Sequence, residues 1–569
     1  MNAVLVLLIG CAILILGYLF YGKWLSEQWG VDDSIETPAH TMEDGVDYCP
    51  AKAPVLLGHH FSSIAGAGPI NGPIQAAVFG WVPVALWVVI GGVFFGGVHD
   101  FGALFASIRH KGQSIGEVIA ANIGDRAKKL FIVFSYLTLI LVVAAFASIV
   151  ASTFNGFTAD GALNDDNAAV AMISILFIVM AIVFGFLVYR RGAPLGVATV
   201  IGVIALVFCL WLGLKWHPIY LPATTWMWII GVYILIASVT PVWILLQPRD
   251  YLSSFLLYGM MIIAVVGIIG AGFTGQNLHM EIPAFTGWKD QMTSLGYVFP
   301  ALFVTIACGA ISGFHSLVGS GTTAKQLDRE RDAKPIAYGG MLIESALALI
   351  SLCAVGYIWK EYAAGDIRVP TQVFATGLAR MVATIPGLGG TEPTVKALLI
   401  LAVSAFCLTS LDTATRLARY MFQEFWLKPG ETYEELTGAR KILTNPWVAT
   451  AITVVLGVGL GLGGYGIIWP LFGAANQLLA ALSLLAVAAW LGNVGKNNKM
   501  FLFPMGFMLV VTLVSLIFTI TAQVTSLMAG FTSAALIRLV IAIVLFVLAF
   551  VLAKEGIQTL KEQRAKANG

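Results

Sequence analysis

The chain carries few charged side chains, and several of those it has fall inside apolar runs. His59 and His60 open a glycine-interrupted stretch, Val55–Phe79, and His99 and Asp100 lie in the second half of the run Pro83–Ile108. An ionisable group held in hydrocarbon is costly, so each is a functional candidate by default. A histidine beside a carboxylate titrates near neutral pH and can pass a proton. On adjacent antiparallel helices these four residues would converge. Taken singly, His59 or His60 reads equally well as a buried histidine bonded to a backbone carbonyl. A metal site at His59 and His60 is the weaker reading, because neighbouring helical residues do not point the same way. Asp412 lies mid-run in Thr409-Ser410-Leu411-Asp412-Thr413-Ala414-Thr415-Arg416. There a carboxylate and several hydroxyls would line an ion or substrate path; the bland alternative is an Asp412–Arg416 pair that neutralises itself one turn apart. Glu344 is a second intramembrane carboxylate. Asn476 and Gln477, in an apolar run, either bind substrate or bond a neighbouring helix. Arg249, in Gln247-Pro248-Arg249-Asp250, is equally explained as a topology anchor.

Two distant segments echo one another. Ser62-Ser63-Ile64-Ala65-Gly66-Ala67-Gly68-Pro69 aligns with His315-Ser316-Leu317-Val318-Gly319-Ser320-Gly321-Thr322, and each is followed by a Pro-Ile pair, Pro73-Ile74 and Pro335-Ile336. Unwinding a helix in lipid frees backbone groups that are tolerated only where they face a polar cavity. The expectation is substrate binding near mid-membrane at Gly66–Gly68 and Gly319–Gly321, with Ser63, Ser316, Ser320 and Thr322 adding hydroxyls. The competing reading is close helix packing through small residues. The stretch Gly319–Lys325 lacks the Gly-Lys-[Ser/Thr] ending of a phosphate loop and follows no strand. There is no H-E-x-x-H, no G-x-S-x-G and no metal-spaced Cys/His set. An enzyme, a cofactor and a metal centre are therefore not expected.

These residues need elements to position them, and composition says what kind. The chain has 569 residues, of which 59% are hydrophobic and 11% charged. A typical soluble domain has about 25% charged residues. With a mean hydropathy of +0.88, no soluble fold of this size hides so much apolar surface. Fourteen apolar runs, from Val4–Tyr21 to Ala534–Ala553, are long enough to span, and the interrupted segment Val55–Phe79 makes about fifteen. The first run is too long for a signal-peptide core. The six cysteines are scattered and read as buried thiols rather than a disulfide framework. A net charge of +2, without a dense basic block, argues against nucleic acid as a partner.

Lys and Arg fall in alternate short loops from end to end provided the interrupted segment crosses the membrane. By the positive-inside rule the C-terminus is then cytoplasmic and the N-terminus outside. The two echoing segments run in opposite directions in that topology, a pattern of inverted repeats found in secondary transporters. The chain reads as one integral membrane domain: an additional helix and acidic loop over 1–54, a transport core over 55–463 and C-terminal helices over 464–569.

Five stretches resemble signatures of the carbon starvation protein A family: Pro54–Ala77, Pro241–Phe255, Cys308–Leu327, Thr409–Tyr420 and Trp469–Ala480. The resemblance implies a secondary carrier of the bacterial inner membrane, built on discontinuous helices and inverted repeats like the amino acid–polyamine–organocation carriers. It implies uptake of peptides, or proton-coupled uptake of pyruvate, under nutrient limitation. The broken segments are seven spans apart here, where that scheme has five. The combined expectation is a cation-coupled symporter, protons before sodium. Substrate would meet Ser63, Gly66, Gly68, Ser316, Gly319, Ser320, Gly321, Thr322, Asn476 and Gln477. Coupling would fall to His59, His60, His99, Asp100, His315, Thr409 and Asp412. The rivals are a nutrient-sensing receptor, which the short loops leave without an output domain, and a channel.

Overall fold

The computed structural model describes residues 2–568 except 46, 159–160, 193, 275–278, 294, 429–430 and 432. Parts of the base-poor loop Gly275–Leu295 and of the basic loop between Lys428 and Lys441 thus lie outside the described residues. Among the described residues, eleven helices are long and apolar enough to cross a membrane. In chain order the first is α1 (Ala3–Trp29). A broken pair follows, α2 (Ala53–Ile64) and α3 (Gly68–Ala76). Next come α4 (Trp81–Arg109), α5 (Asp125–Thr153), α6 (Asp165–Val188), α7 (Leu195–Lys215), the shorter α8 (Ala223–Val239) and α9 (Leu246–Phe273). A second broken pair is α10 (Val298–Thr305) and α11 (Gly313–Gly321). The rest are α12 (Glu330–Tyr357), α13 (Pro370–Ala383), α14 (Gly389–Phe425), the shorter α15 (Pro446–Gly461), α16 (Ile468–Asn493), α17 (Lys499–Ala529) and α18 (Ser533–Lys566). Strand pairing among the described residues is limited to isolated bridges. All six cysteines are free.

Helices that are apolar all round either face lipid or sit inside the bundle, and burial separates the two kinds. The apolar window of α16 is wholly buried, whereas only 17% of that of α7 is. At the centre, α5 packs on α14 and α16, and α12 lies against α1 and α3. The periphery is α1, α7 and α18.

Both breaks have a local cause. Pro69 has no N–H, and its ring conflicts with a helical carbonyl four residues back, at Ala65. The helix accordingly ends at Ile64 and restarts at Gly68. The second opening is at Ile306–Ser312, between α10 and α11. This corrects the expectation of unwinding at Gly319–Gly321, which form the last turn of α11. Gly321 serves packing instead: a Cβ there would come 2.3 Å from Leu417 Cδ2. The broken pairs lie side by side in opposite directions, α3 against α10 and α2 against α11. A Cβ at Gly68 would fall 2.3 Å from Cys308 Sγ, and one at Gly72 2.7 Å from the Thr305 carbonyl oxygen. Backbones approach that closely only through glycine.

Candidate functional site

The first break is stitched to α14. Ser410 Oγ donates to the Ser63 carbonyl at 2.9 Å, an acceptor that a continuous helix would give to Ala67. Ser63 Oγ lies 3.2 Å from Thr413 Oγ1. Gly66 leaves the room: a Cβ there would be 2.9 Å from both the Phe146 ring and Ser410 Oγ. Between Ser410 and Thr413 on α14, Asp412 is buried, and its Oδ1 and the Thr409 hydroxyl have no hydrogen-bond partner among the described residues.

Asp412 does not pair with Arg416. Its Oδ2 takes Arg249 Nη1 and the Tyr233 hydroxyl, the latter at 2.6 Å. Arg249 also donates to the Tyr233 hydroxyl at 2.5 Å and, through Nη2, to Asp250 Oδ1 at 2.7 Å. The other oxygen of Asp250 lies 2.9 Å from His59 Nδ1. Four helices, α2, α8, α9 and α14, thus converge on a buried chain His59–Asp250–Arg249–Asp412–Tyr233. Arg416 goes instead to the carbonyls of Ala237 (2.8 Å) and Thr240, at the frayed end of α8. The expectation left Arg249 equally explained as an anchor and gave no role to Asp250 or Tyr233. The sequence signal was weak but present in an Arg-Asp pair closing an apolar run.

Among the described residues no hydrogen bond or ion pair joins His59 or His60 to His99 or Asp100, against the expected convergence. Asp100 instead bridges two other histidines: Oδ1 is 2.7 Å from His99 Nδ1, and Oδ2 is 2.7 Å from His315 Nδ1. The far nitrogen of His315 faces Glu344 Oε2 at 3.3 Å. Cys308, at the second break, joins this group: its sulfur, an imidazole nitrogen of His315 and a Glu344 oxygen all lie within 4.8 Å of one another. His60 turns elsewhere, to Thr323 Oγ1 at 2.8 Å.

Asn476 and Gln477 bond a neighbouring helix. Asn476 Oδ1 accepts from Phe314 N at 2.8 Å and its amide donates to Ser312 Oγ at 3.0 Å, while Gln477 donates to the carbonyls of Phe303 and Ile306. Helix ends leave such groups orphaned, and α16 supplies partners on both sides of the second break. The hydroxyls along α11 are turned inward on the protein. Ser316 meets the Gly313 carbonyl and Ser483, Ser320 donates to Ser316 O, and Thr322 donates to Val318 O.

At one face of the bundle a loop closes over the site. Lys325 Nζ lies 5.2 Å from the Tyr48 ring centroid and 4.8 Å from that of Tyr420. Tyr420 donates to Asp47 at 2.7 Å, and Arg416 lies 3.8 Å from the same carboxylate. Burial acts to raise the Asp47 carboxyl, but Lys325, Arg416 and the Tyr420 hydrogen bond outweigh it and hold it below the usual aspartate range. Beside this loop is a cavity of about 620 Å³ lined by Glu43, Cys49, Lys52, Trp243 and Gln247.

Relatives that share this sequence pattern carry the names of transporters. The family described as "Carbon starvation protein CstA" matches residues 2–369 and 359–515. The "Peptide transporter CstA" of Campylobacter jejuni is 34% identical over 90% of this chain and 79% of its own length. That of Bacillus subtilis is 35% identical, covering 85% and 84%. The "Pyruvate/proton symporter BtsT" of Escherichia coli is 30% identical, covering 85% and 76%. Among solved structures, a mutant of the Eremococcus coleocola manganese transporter aligns with a TM-score of 0.49 at 13% identity, over 92% of this chain and 99% of that one. The sequence match extends through both broken helices and the helices that bond them, and the chain belongs to the carbon starvation protein CstA family of multi-pass membrane transporters.

Proposed function

We propose that this transporter is a secondary carrier of the bacterial inner membrane that takes up a small carboxylate, pyruvate or a short peptide, by proton symport. The observation that carries the reading is the charge of the buried chain. Arg249 supplies one positive charge against Asp250 and Asp412, so the group lacks one positive charge while His59 is neutral. An uncompensated charge away from water is costly, and one proton, on His59 or a carboxylate, removes it. The chain meets the first break through Ser410 and Thr413, on either side of Asp412. The N-terminal end of α3, just past that break, offers a positive dipole end suited to a substrate carboxylate. The names of the relatives support both cargoes, peptide and pyruvate.

The eleven long helices, the two shorter ones and the two broken pairs make fifteen passes in this reading. The broken pairs head inverted repeats, with a transport core over 55–463, the N-terminus outside and the C-terminus cytoplasmic.

The test is uptake of labelled pyruvate and labelled dipeptide into liposomes carrying the purified protein, with an inward proton gradient and with it collapsed. One substrate should accumulate only under the gradient, and Asp412→Asn should abolish accumulation while leaving the protein folded in the membrane. Normal concentrative uptake by that variant would remove Asp412 from coupling. Equal uptake with and without the gradient would remove protons.

A further inference from the structure

No hydrogen bond or ion pair among the described residues joins the group around Asp100 to the Arg249 chain, and its chemical character differs. Asp100 accepts from His99 Nδ1 and His315 Nδ1, both at 2.7 Å. With its Nδ1 proton so engaged, a neutral His315 turns an Nε2 lone pair toward Glu344 Oε2, 3.3 Å away. Two acceptors then face each other with nothing donated between them. Glu344 is fully buried, and neither of its oxygens has a hydrogen-bond partner among the described residues. Cys308 Sγ completes a set of thiol, imidazole and carboxylate donors within 4.8 Å of one another, all three buried.

We propose that Cys308 Sγ, His315 Nε2 and the Glu344 carboxylate bind one divalent transition-metal ion of the zinc class, with Asp100 as the outer carboxylate that orients His315.

Four features of the site bear on this. The carboxylate–histidine–metal relay is how ligating imidazoles are held in one tautomer and made more basic, and Asp100 occupies that place. Zinc ligands at about 2.0–2.3 Å in a tetrahedral arrangement lie about 3.3–3.6 Å apart, so the observed spread needs a contraction of about 1 Å. A mixed sulfur, nitrogen and oxygen set suits zinc, whereas magnesium and calcium take oxygen ligands only. The sulfur is also set up as a ligand: Asn476 Nδ2 donates to it at 3.8 Å, and Gly68 is the only residue type that fits beside it. Binding displaces the thiol proton to solvent. Three protein ligands leave one position for water or an anion. The ion would tie the second break, the first turn of α11 and the middle of α12 into one unit.

The experiment is metal analysis of the full-length protein, purified in detergent through a tag that does not bind metal and without chelator. About one zinc per chain should survive gel filtration, and the content should fall at least tenfold in Cys308→Ala and Glu344→Gln but not in Cys353→Ala, another buried thiol. Stripped protein given cobalt should show a thiolate-to-cobalt charge-transfer band that Cys353→Ala keeps. Should the ligand variants fail to fold, the cobalt spectrum of the unaltered chain decides: presence of the band supports the site and its absence overturns it. Wild-type protein that holds no metal and takes up neither zinc nor cobalt would overturn the proposal, leaving a proton shared between His315 and Glu344. So would equal metal content in all the variants. Every readout is independent of uptake, so failure of the symport reading leaves this one standing.

Discussion

At the scale of single residues, glycines that look alike in sequence do different things. Gly68 and Gly319 both belong to the matched Gly-x-Gly segments, but a Cβ on Gly68 would lie 2.3 Å from Cys308 Sγ and 2.4 Å from its Cβ, with little slack in so short a side chain. A Cβ on Gly319 would meet nothing closer than 3.8 Å, at Leu104. Gly68→Ala should cost about 1–3 kcal/mol by overpacking, whereas Gly319→Ala in a helical turn should be neutral or gain about 0.4–1 kcal/mol through the unfolded chain. Thermal unfolding in detergent checks both; equal melting temperatures would mean that the second break moves to accommodate Cys308. The contrast shows what was legible. That Ser63, Gly66 and Gly68 mark a break could be read from Pro69 and the glycines, because both act on their own backbone. That Asn476 and Gln477 bond the second break could not, since they lie more than 160 residues from the groups they satisfy. No local pattern announces such a partner.

At the scale of elements, the i, i+4 spacing offered Asp412 an alternative partner, Arg416, that the structure does not use. Proximity along a helix counts only when no better partner crosses it. Arg416 is taken by carbonyls left open where α8 ends, and Arg249 arrives from α9 with a second carboxylate beside it. The spans themselves were legible, because twenty apolar residues in a row leave few options; which faces meet was not. Removing one partner of a buried ion pair strands the other, at a cost of about 3–5 kcal/mol. Arg249→Gln should therefore collapse the yield of folded protein. Adding Asp412→Asn should recover most of it, because Asp250 keeps His59 as a partner. Uptake should stay uncoupled in the double variant. Folded yield by gel filtration and a double-mutant cycle in unfolding measure this. A double variant no better than Arg249→Gln would show that the arginine acts through other groups.

At the scale of the whole molecule, the loop carrying Asp47 and Tyr48 is held on one face by ion pairs together with backbone hydrogen bonds from Cys49 and Ala51 to Lys325 and Gln326. Asp47 titrates below the ordinary aspartate value of 3.8, net of a burial that opposes this and of Lys325, Arg416 and Tyr420, which prevail. A carboxyl lowered in the folded state contributes stability in full above its unfolded value and loses it as pH falls through the folded one. The closure should thus hold at neutral pH and weaken on acidification below 3.8. Asp47→Asn removes the charge at any pH and should open the loop at neutral pH. Limited proteolysis of the segment around exposed Lys52 reads this directly. Trypsin at neutral pH should cut Asp47→Asn several times faster than the wild type. Pepsin should cut the wild type faster the further the pH drops below 3.8. Vesicle orientation adds a second answer: the positive-inside rule puts this loop in the cytoplasm, so cleavage should occur in inside-out vesicles and not in right-side-out ones. Cleavage only in right-side-out vesicles would invert the topology, and an Asp47→Asn loop as resistant as the wild type would mean that packing, with the ion pairs idle, holds this face shut.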